Sequence, residues 1–288
     1  MTDAAPDAPN ADQAEFWSGT TGQAWVARQA QFDAMMTPVL DLLMDHAQPA
    51  PGEAVLDIGC GTGASLLRVA TAVGPDGHVT GVDISPPMLD LARRRVAQAG
   101  LDHIETYLAD AQTHAFTPRF HAALSRFGVM FFDDPVAAFA NIRTAMRPGG
   151  RLTFVSWAGM PDNPWFRFPS KVAQARLGSV PRPDPRAPGP MAFSEQDYVL
   201  DILQSAGWDR PRAEIATLDL TPPGTVAEVA EFMGREGPAS RVVAHHEGTE
   251  ADIQAIIAGI ATLIEDCKTP EGVRIPARLN VFSAAAAG

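Results

Sequence analysis

Apolar and polar positions along this chain change their period several times, and the changes divide it. From 14 to 47 the residues Phe16, Trp17, Trp25, Phe32, Val39, Leu40, Leu42 and Leu43 recur at helical spacing. The stretch before them, 1–13, is rich in Ala, Asp, Pro and Asn, with too little apolar surface to order itself, and is expected to be disordered. From 54 onward, short apolar runs alternate with amphipathic stretches of helix length. Strands are predicted near 54–59, 78–84, 104–110, 120–127 and 151–157, and helices near 63–73, 86–99 and 135–147. Ala54-Val55-Leu56 and Ile58 are apolar without alternation, which suits a parallel strand covered on both faces. Strand and helix in turn imply βαβ units, an α/β fold and a parallel sheet. Right-handed crossovers then gather the loops at the strands' carboxyl ends along one edge.

The character changes after 158. Pro161, Pro164 and Pro169 punctuate the chain, and 180–190 is too proline-dense for helix or central strand. An insertion of this length reads as a substrate cap. A helix is expected from 194 to 206, with Ser194 as its cap and Asp197 in the box position. A strand over 212–220, helices near 225–235 and 250–266, and a last strand over 277–284 follow. The segment 237–248 is a further helix candidate. The expected division is a disordered 1–13, a helical lid over 14–48, a core over 49–158, and a cap with completing strands over 159–284.

Charge and cysteine content narrow the classes. A net charge of −12 argues against a phosphate-backbone partner. The one basic run, Arg93-Arg94-Arg95, shares its helix with Leu89, Leu91 and Val96 and reads as a solvated face. Of the two cysteines, Cys60 lies inside a glycine loop, so a reducing, cytoplasmic setting is expected. No stretch of about 20 apolar residues predicts a membrane span, and the acidic start is not read as a signal peptide.

The most informative chemistry is Val55-Leu56-Asp57-Ile58-Gly59-Cys60-Gly61-Thr62-Gly63. A strand ends in a glycine turn that lets a ligand approach the backbone, and a helix follows. Read as G-x-G-x-x-G/A, Gly59, Gly61 and Ala64 with Asp83 also fit a dinucleotide fingerprint. A dinucleotide brings its pyrophosphate to the helix N-terminus, where Asp57 sets a fixed anion nearby. S-adenosylmethionine (SAM) carries an ammonium and a sulfonium that Asp57 attracts. The placement of the third glycine at Gly63 also favours SAM.

This run resembles motif I of the class I SAM-dependent methyltransferases, and four later segments follow in that family's order. His78-Val79-Thr80-Gly81-Val82-Asp83-Ile84-Ser85 resembles its second strand and Leu108-Ala109-Asp110-Ala111 the end of its third. Ala122-Ala123-Leu124-Ser125-Arg126-Phe127 fits the fourth strand, and Met146-Arg147-Pro148-Gly149-Gly150-Arg151-Leu152 the turn into the fifth. The resemblance implies a Rossmann-like, doubly wound sheet, mostly parallel, with a late antiparallel strand. It implies a cofactor bed at Gly59, Cys60, Gly61 and Gly63, with Asp57 on the ammonium side. Asp83 would meet the ribose, Asp110 the adenine and Ser125 the methionine, with Ile84 and Ala111 among the further cofactor contacts. A leading helical segment would fold over the cofactor, with Trp25 lining it and Arg28 near the methionine carboxylate. Each position also has a plainer reading. Asp83 can cap the helix starting near Pro86-Pro87, although Ser85 is the better cap; Asp110 can begin a turn, and Asp57 can satisfy turn amides. Trp25 can pack on the sheet while Arg28 stays solvated.

Methyl transfer from a sulfonium needs alignment and exclusion of water, and a base only when the acceptor is protonated. Arg126, Phe127, Met130, Phe131 and Phe132 at the fourth-strand exit and Trp157 at the fifth are candidates around the methyl group. Phe127, Met130 and Trp157 are read as substrate contacts, although some of this set will be ordinary core. Arg126 either binds an acidic substrate group or pairs with Asp133 or Asp134. His245 is a weak candidate base beside His246; adjacent histidines on a helix face different ways. The strand exits read Ser125-Arg126 and Ser156-Trp157, without the carboxylates of a metal site. The expectation is therefore a SAM-dependent methyltransferase acting on a small molecule as monomer or homodimer, with no metal, nucleic acid or membrane. An NAD(P)-linked oxidoreductase with a variant glycine loop and a non-catalytic SAM-binding subunit are the alternatives.

Overall fold

In a computed structural model, which describes residues 8–117, 120–181 and 184–287, the chain leads with four short helices. They are α1 (Ala11–Ser18), α2 (Thr20–Ala27), α3 (Gln29–Met35) and α4 (Thr37–Ala47). There follow β1 (Ala54–Ile58), α5 (Ala64–Val73), β2 (His78–Asp83), α6 (Pro86–Ala99), β3 (Ile104–Leu108), β4 (Phe120–Arg126), α7 (Pro135–Ala145) and β5 (Met146–Trp157). The second half holds α8 (Pro164–Leu177), α9 (Gln196–Ser205), β6 (Asp209–Leu220), α10 (Val226–Arg235), α11 (Pro238–His245) and α12 (Glu250–Ile264). A small hairpin, β7 (Lys268–Thr269) with β8 (Gly272–Val273), leads into β9 (Ile275–Ala285).

Seven strands form one sheet in the order β3-β2-β1-β4-β5-β9-β6. The first five are parallel, and β9 runs antiparallel between β5 and β6. This is the Rossmann-like α/β sheet with a late antiparallel strand that the pattern and the resemblance led one to expect. Chain order reverses between β1 and β4, so the crevice beyond their carboxyl ends is where such sheets bind ligands. Phe120, Phe139, Phe154 and Phe282 anchor the core. Phe154 stacks on Phe139 at 5.3 Å and on Phe282 at 5.0 Å, which ties β5 to α7 and β9.

Two glycines are demanded by close packing at the crevice. Gly59 has φ 65°, and a Cβ there would lie 2.6 Å from the Gly128 Cα, because the turn after β1 rests on the exit of β4. Gly63 has φ 90°, and its Cβ would lie 3.1 Å from the Ala92 Cβ of α6. Only glycine meets both requirements cheaply.

Several expectations need correction. Helix α1 begins at Ala11, and Asn10 ahead of it is buried, so 8–13 is ordered structure; 1–7 lie outside the described residues. Helix α7 stops at Ala145 because Met146 already pairs with Phe120 in the sheet. Helix α9 begins at Gln196 and has no side-chain cap; the Ser194–Asp197 box does not form, and the Ser194 carbonyl instead accepts from the Asn280 Nδ2 at 3.1 Å. Capping boxes do form at Thr225–Glu228 and Thr249–Asp252. Strand β6 starts at Asp209 and passes Pro211 across a bulge, which an edge strand tolerates. The proline-dense 180–190 holds no helix or strand in its described residues; Arg182 and Pro183 lie outside them.

The cap is assembled from two separate excursions. Helix α8 lies between β5 and β6, whereas α10, α11 and α12 lie between β6 and β9, and α8 packs against α11 and α12. Close approach is secured by Gly259 against Val172 and Gly234 against Ile257.

Candidate active site

The acids predicted from the sequence do meet along the carboxyl edge of the sheet, each held differently. Asp57 is fully buried in β1, and its Oδ2 accepts from the Ser65 hydroxyl at 2.6 Å. Its Oδ1 has no partner among the described residues. Burial pushes its carboxyl up to about 7, against the pull of Ser65 and Arg126. Asp83 is shared between two loops: Oδ2 accepts from the Gly61 amide at 2.7 Å and Oδ1 from the Ser85 amide at 2.8 Å. Burial raises its carboxyl, while those amides pull it down. Ser85 does not cap α6 with its side chain, as the sequence had led us to expect. Its hydroxyl donates to the Trp17 carbonyl at 2.6 Å, drawing α1 toward the crevice.

Asp110 reveals a partner that the pattern had assigned to disorder. Asn10 donates from Nδ2 to the Asp110 Oδ2 at 2.9 Å and to the Gln112 Oε1 at 3.1 Å. Its Oδ1 accepts from the Asp133 amide at 2.6 Å, and the Gln112 amide donates to the Asp110 Oδ1 at 2.8 Å. Asn10 sits at φ 56°, a left-handed conformation that Asn tolerates better than most residues. That preference, just ahead of a helical pattern, was the only sequence signal for it.

Other predicted contacts are redirected. The Ser125 hydroxyl donates to the Ile58 carbonyl at 2.7 Å and accepts from the Gly128 amide at 3.0 Å, so it ties β1 to β4. Cys60 is buried against β2, and burial with the neighbouring Asp83 and Asp57 raises its thiol well above the usual range. Ile84 is half-buried and Ala111 buried. Trp25 stacks on Phe32 at 3.8 Å. Arg28 pairs with Glu236 at the end of α10, 3.1 Å away, and lies over the Phe232 ring. The end of α2 is thereby joined to the end of α10, and Arg28 is ion-paired while still partly exposed.

Arg126 does not pair with Asp133 or Asp134; Asp134 caps α7 through the Ala137 amide at 2.9 Å. The guanidinium faces Asp33 and Asp57, with Arg95 repelling it, and its buried Nη1 has no partner among the described residues.

Beyond the strand ends aromatic side chains pack on one another, with Trp157, Trp165, Phe166 and Phe232 buried. Phe127, in left-handed backbone at φ 65°, lays its ring parallel to Trp157 at 4.5 Å. Trp157 meets the edge of Phe166 at 4.9 Å in α8. The neighbouring Trp165 meets Phe232 of α10 at 5.4 Å, and Phe232 meets Phe32 of the lid at 5.0 Å. Phe131 joins Trp17 at 5.1 Å. Met130 is core, and Phe132 turns to Phe139. His245 is exposed at the end of α11 and shares no hydrogen bond or ring contact with the glycine loop. Among the described residues no three His, Cys, Asp or Glu side chains gather as a metal cage, and no helix is long and apolar enough to cross a membrane.

A nocamycin O-methyltransferase from Saccharothrix syringae is 31% identical over 201 residues, covering 67% of this chain and 72% of that protein. The chain belongs to the class I SAM-dependent methyltransferases. The Methyltransferase domain family matches residues 55–150, from β1 to the turn in β5. Aklanonic acid methyltransferase DauC from a Streptomyces species is 40% identical over 121 residues, 42% of this chain and 55% of that protein, so the match spans about half of its length. A phosphoethanolamine N-methyltransferase of Haemonchus contortus, solved with S-adenosylhomocysteine, shares the fold with a TM-score of 0.59 at 17% identity, covering 96% of this chain and 60% of that one. These relatives give the dinucleotide reading no support.

The residues present fit the methyltransferases' cofactor. The crevice offers a buried acid with an unmet oxygen, a buried cation with an unmet N–H, and two further carboxylates at strand ends. Each carboxylate oxygen can accept a second hydrogen bond, as a ribose diol or an adenine amine requires.

Proposed function

We propose that this protein methylates a small, largely apolar acceptor with a planar conjugated ring system. When bound, SAM supplies an electrophilic methyl group on a sulfonium. Gly59, Gly61 and Gly63 would bed it along the backbone, with Asp57 toward the ammonium, Asp83 toward the ribose and Asp110 toward the adenine. Ile84 and Ala111 would flank the nucleoside. The observation that carries the acceptor reading is the Phe127–Trp157 stack, continued by Phe166, Trp165 and Phe232. Flat rings in this arrangement favour another flat ring by stacking and exclude water from the transfer. The two relatives are named for methylating aklanonic acid and nocamycin, which supports a small-molecule acceptor. Two cysteines without a disulfide suit a reducing cytoplasm.

The test is S-adenosylhomocysteine formation from SAM with a panel of polycyclic phenols and acids beside small aliphatic amines and alcohols. Turnover concentrated in the polycyclic set is expected. Turnover confined to the aliphatic set would overturn the acceptor reading.

A further inference from the structure

Among the described residues, two ionisable side chains bury an atom with no hydrogen-bond partner, and they carry opposite charges: Asp57 Oδ1 and Arg126 Nη1. They come from paired neighbours, β1 and β4, with Asp57 opposite Leu124 and Arg126 at the carboxyl end beyond it. The two attract one another across the strand ends, yet these atoms share no hydrogen bond, and the remaining charges nearby are engaged elsewhere. Asp33 attracts Arg126 but is bonded to the Arg95 Nη2 at 2.7 Å, and Arg95 anchors its other arm on the Thr62 carbonyl at 2.7 Å. Asp83 is occupied by the amides of Gly61 and Ser85.

A buried polar group left unmade costs about 1–3 kcal/mol, and more when charged. Two such groups of opposite sign, buried beneath the carboxyl edge of neighbouring strands, are relieved together by a ligand bearing both an ammonium and a carboxylate on one carbon. The lid cation expected to take that carboxylate, Arg28, is paired with Glu236 across the lid and cap.

We infer that Arg126 is the residue that holds the carboxylate of the cofactor's amino-acid end while Asp57 takes its ammonium. The inference rests on the cofactor assignment above. It gives Arg126 a binding role in place of an acceptor contact or an ion pair with the β4–α7 turn. A guanidinium fits a carboxylate with two parallel N–H bonds, which makes Arg the suitable cation there.

The experiment compares S-adenosylhomocysteine with 5′-methylthioadenosine, which has the same nucleoside and thioether but no amino acid. Both are titrated calorimetrically into the full-length wild type, Arg126→Met and Arg126→Lys. In Arg126→Met, S-adenosylhomocysteine should weaken about tenfold or more, as for a lost charge-assisted pair, and methylthioadenosine by less than about twofold. Arg126→Lys should recover part of the loss. Ligand-free Arg126→Met should melt no lower than wild type, because an unmet buried cation has been removed. Equal weakening of both ligands, or unchanged S-adenosylhomocysteine affinity, overturns the role of Arg126. Wild type that binds neither ligand overturns the cofactor assignment, and the inference with it.

Discussion

The cofactor half, residues 54–126, and the cap, built from α8 and α10–α12, position their side chains by opposite means. In the first, the acids stand at or near strand ends and their bonds are mostly local: Asp57 to the Ser65 hydroxyl, Asp83 to the Gly61 and Ser85 amides, and Asp110 to the Gln112 amide, with Asn10 as its one distant partner. In the second, Phe166, Trp165 and Phe232 meet because helices distant in sequence pack together. Backbone geometry repeats from one sheet of this kind to the next, whereas packing is remade with every cap. The match to the Methyltransferase domain family, which ends at 150, follows that divide. From Val55 onward the first half falls inside that match, whereas α8 and α10–α12 fall outside it.

The sharpest way to break the contrast is Asp83→Ala. It leaves the Gly61 and Ser85 amides unmet and removes the acid expected at the ribose. S-adenosylhomocysteine affinity should fall by about 3 kcal/mol, roughly a hundredfold, by calorimetry. A loss under threefold would mean that the loop amides, not the acid, carry the nucleoside.

Gly59→Ala should lower stability by roughly 2–3 kcal/mol in denaturant titration, since its Cβ must enter the Gly128 backbone at positive φ. The same substitution at Gly237, also at positive φ but with open space around it, should cost about 1 kcal/mol, all of it conformational. Equal effects would erase the difference between a loop set by contact and one set by torsion alone.

A third test uses pH. Asp57 is raised in the folded state to about 7 from an ordinary 3.8. Its protonated form is the one that folding favours, so its contribution is complete below about pH 4 and is lost as pH rises through about 7. The groups that bear on it are Ser65, Arg126 and Asp83. Relative to Asp57→Asn, wild type should lose stability over that window, by at most about 1.4 kcal/mol per pH unit. Parallel stability curves for the two proteins would refute it.

The smallest effect belongs to the cap. Glu236→Gln breaks the half-exposed pair with Arg28, worth about 0.5–1 kcal/mol after solvent screening. It should raise the acceptor KM a few-fold and leave S-adenosylhomocysteine affinity unchanged. A shift in the cofactor instead would show that lid and cap are one unit with the crevice.

How far the sequence could be read follows the same physical line. Strands β1, β2, β4 and the end of β5 were legible because burial on both faces leaves an apolar run, and the glycine turn because positive φ leaves a local mark. The exposed edge strand β3 was legible from its place in the strand–helix alternation. Asp57, Asp83 and Asp110 lie at or just past the ends of β1, β2 and β3 as expected, because strand ends are predictable. Ser194 misled because its backbone carbonyl is held by Asn280, a residue of β9 that no local rule connects to it. Arg28 and Arg126 exchanged expectations for a related reason. Whether a cation is paired depends on what the fold brings opposite, here Glu236 for one and no bonded partner for the other.

The carboxamide of Asn10 resting on Asp110 has a consequence for how tightly a nucleoside can be held. Its NH2 group offers the same donor as an adenine's exocyclic amine, so the protein's own leading segment is an internal rival for that oxygen. An adenine taking the proposed place at the Asp110 Oδ2 would swap one N–H···O bond for another and gain little there. Discrimination then shifts to the sugar and the zwitterion, and loosening the first helix becomes a handle on retention of the spent cofactor.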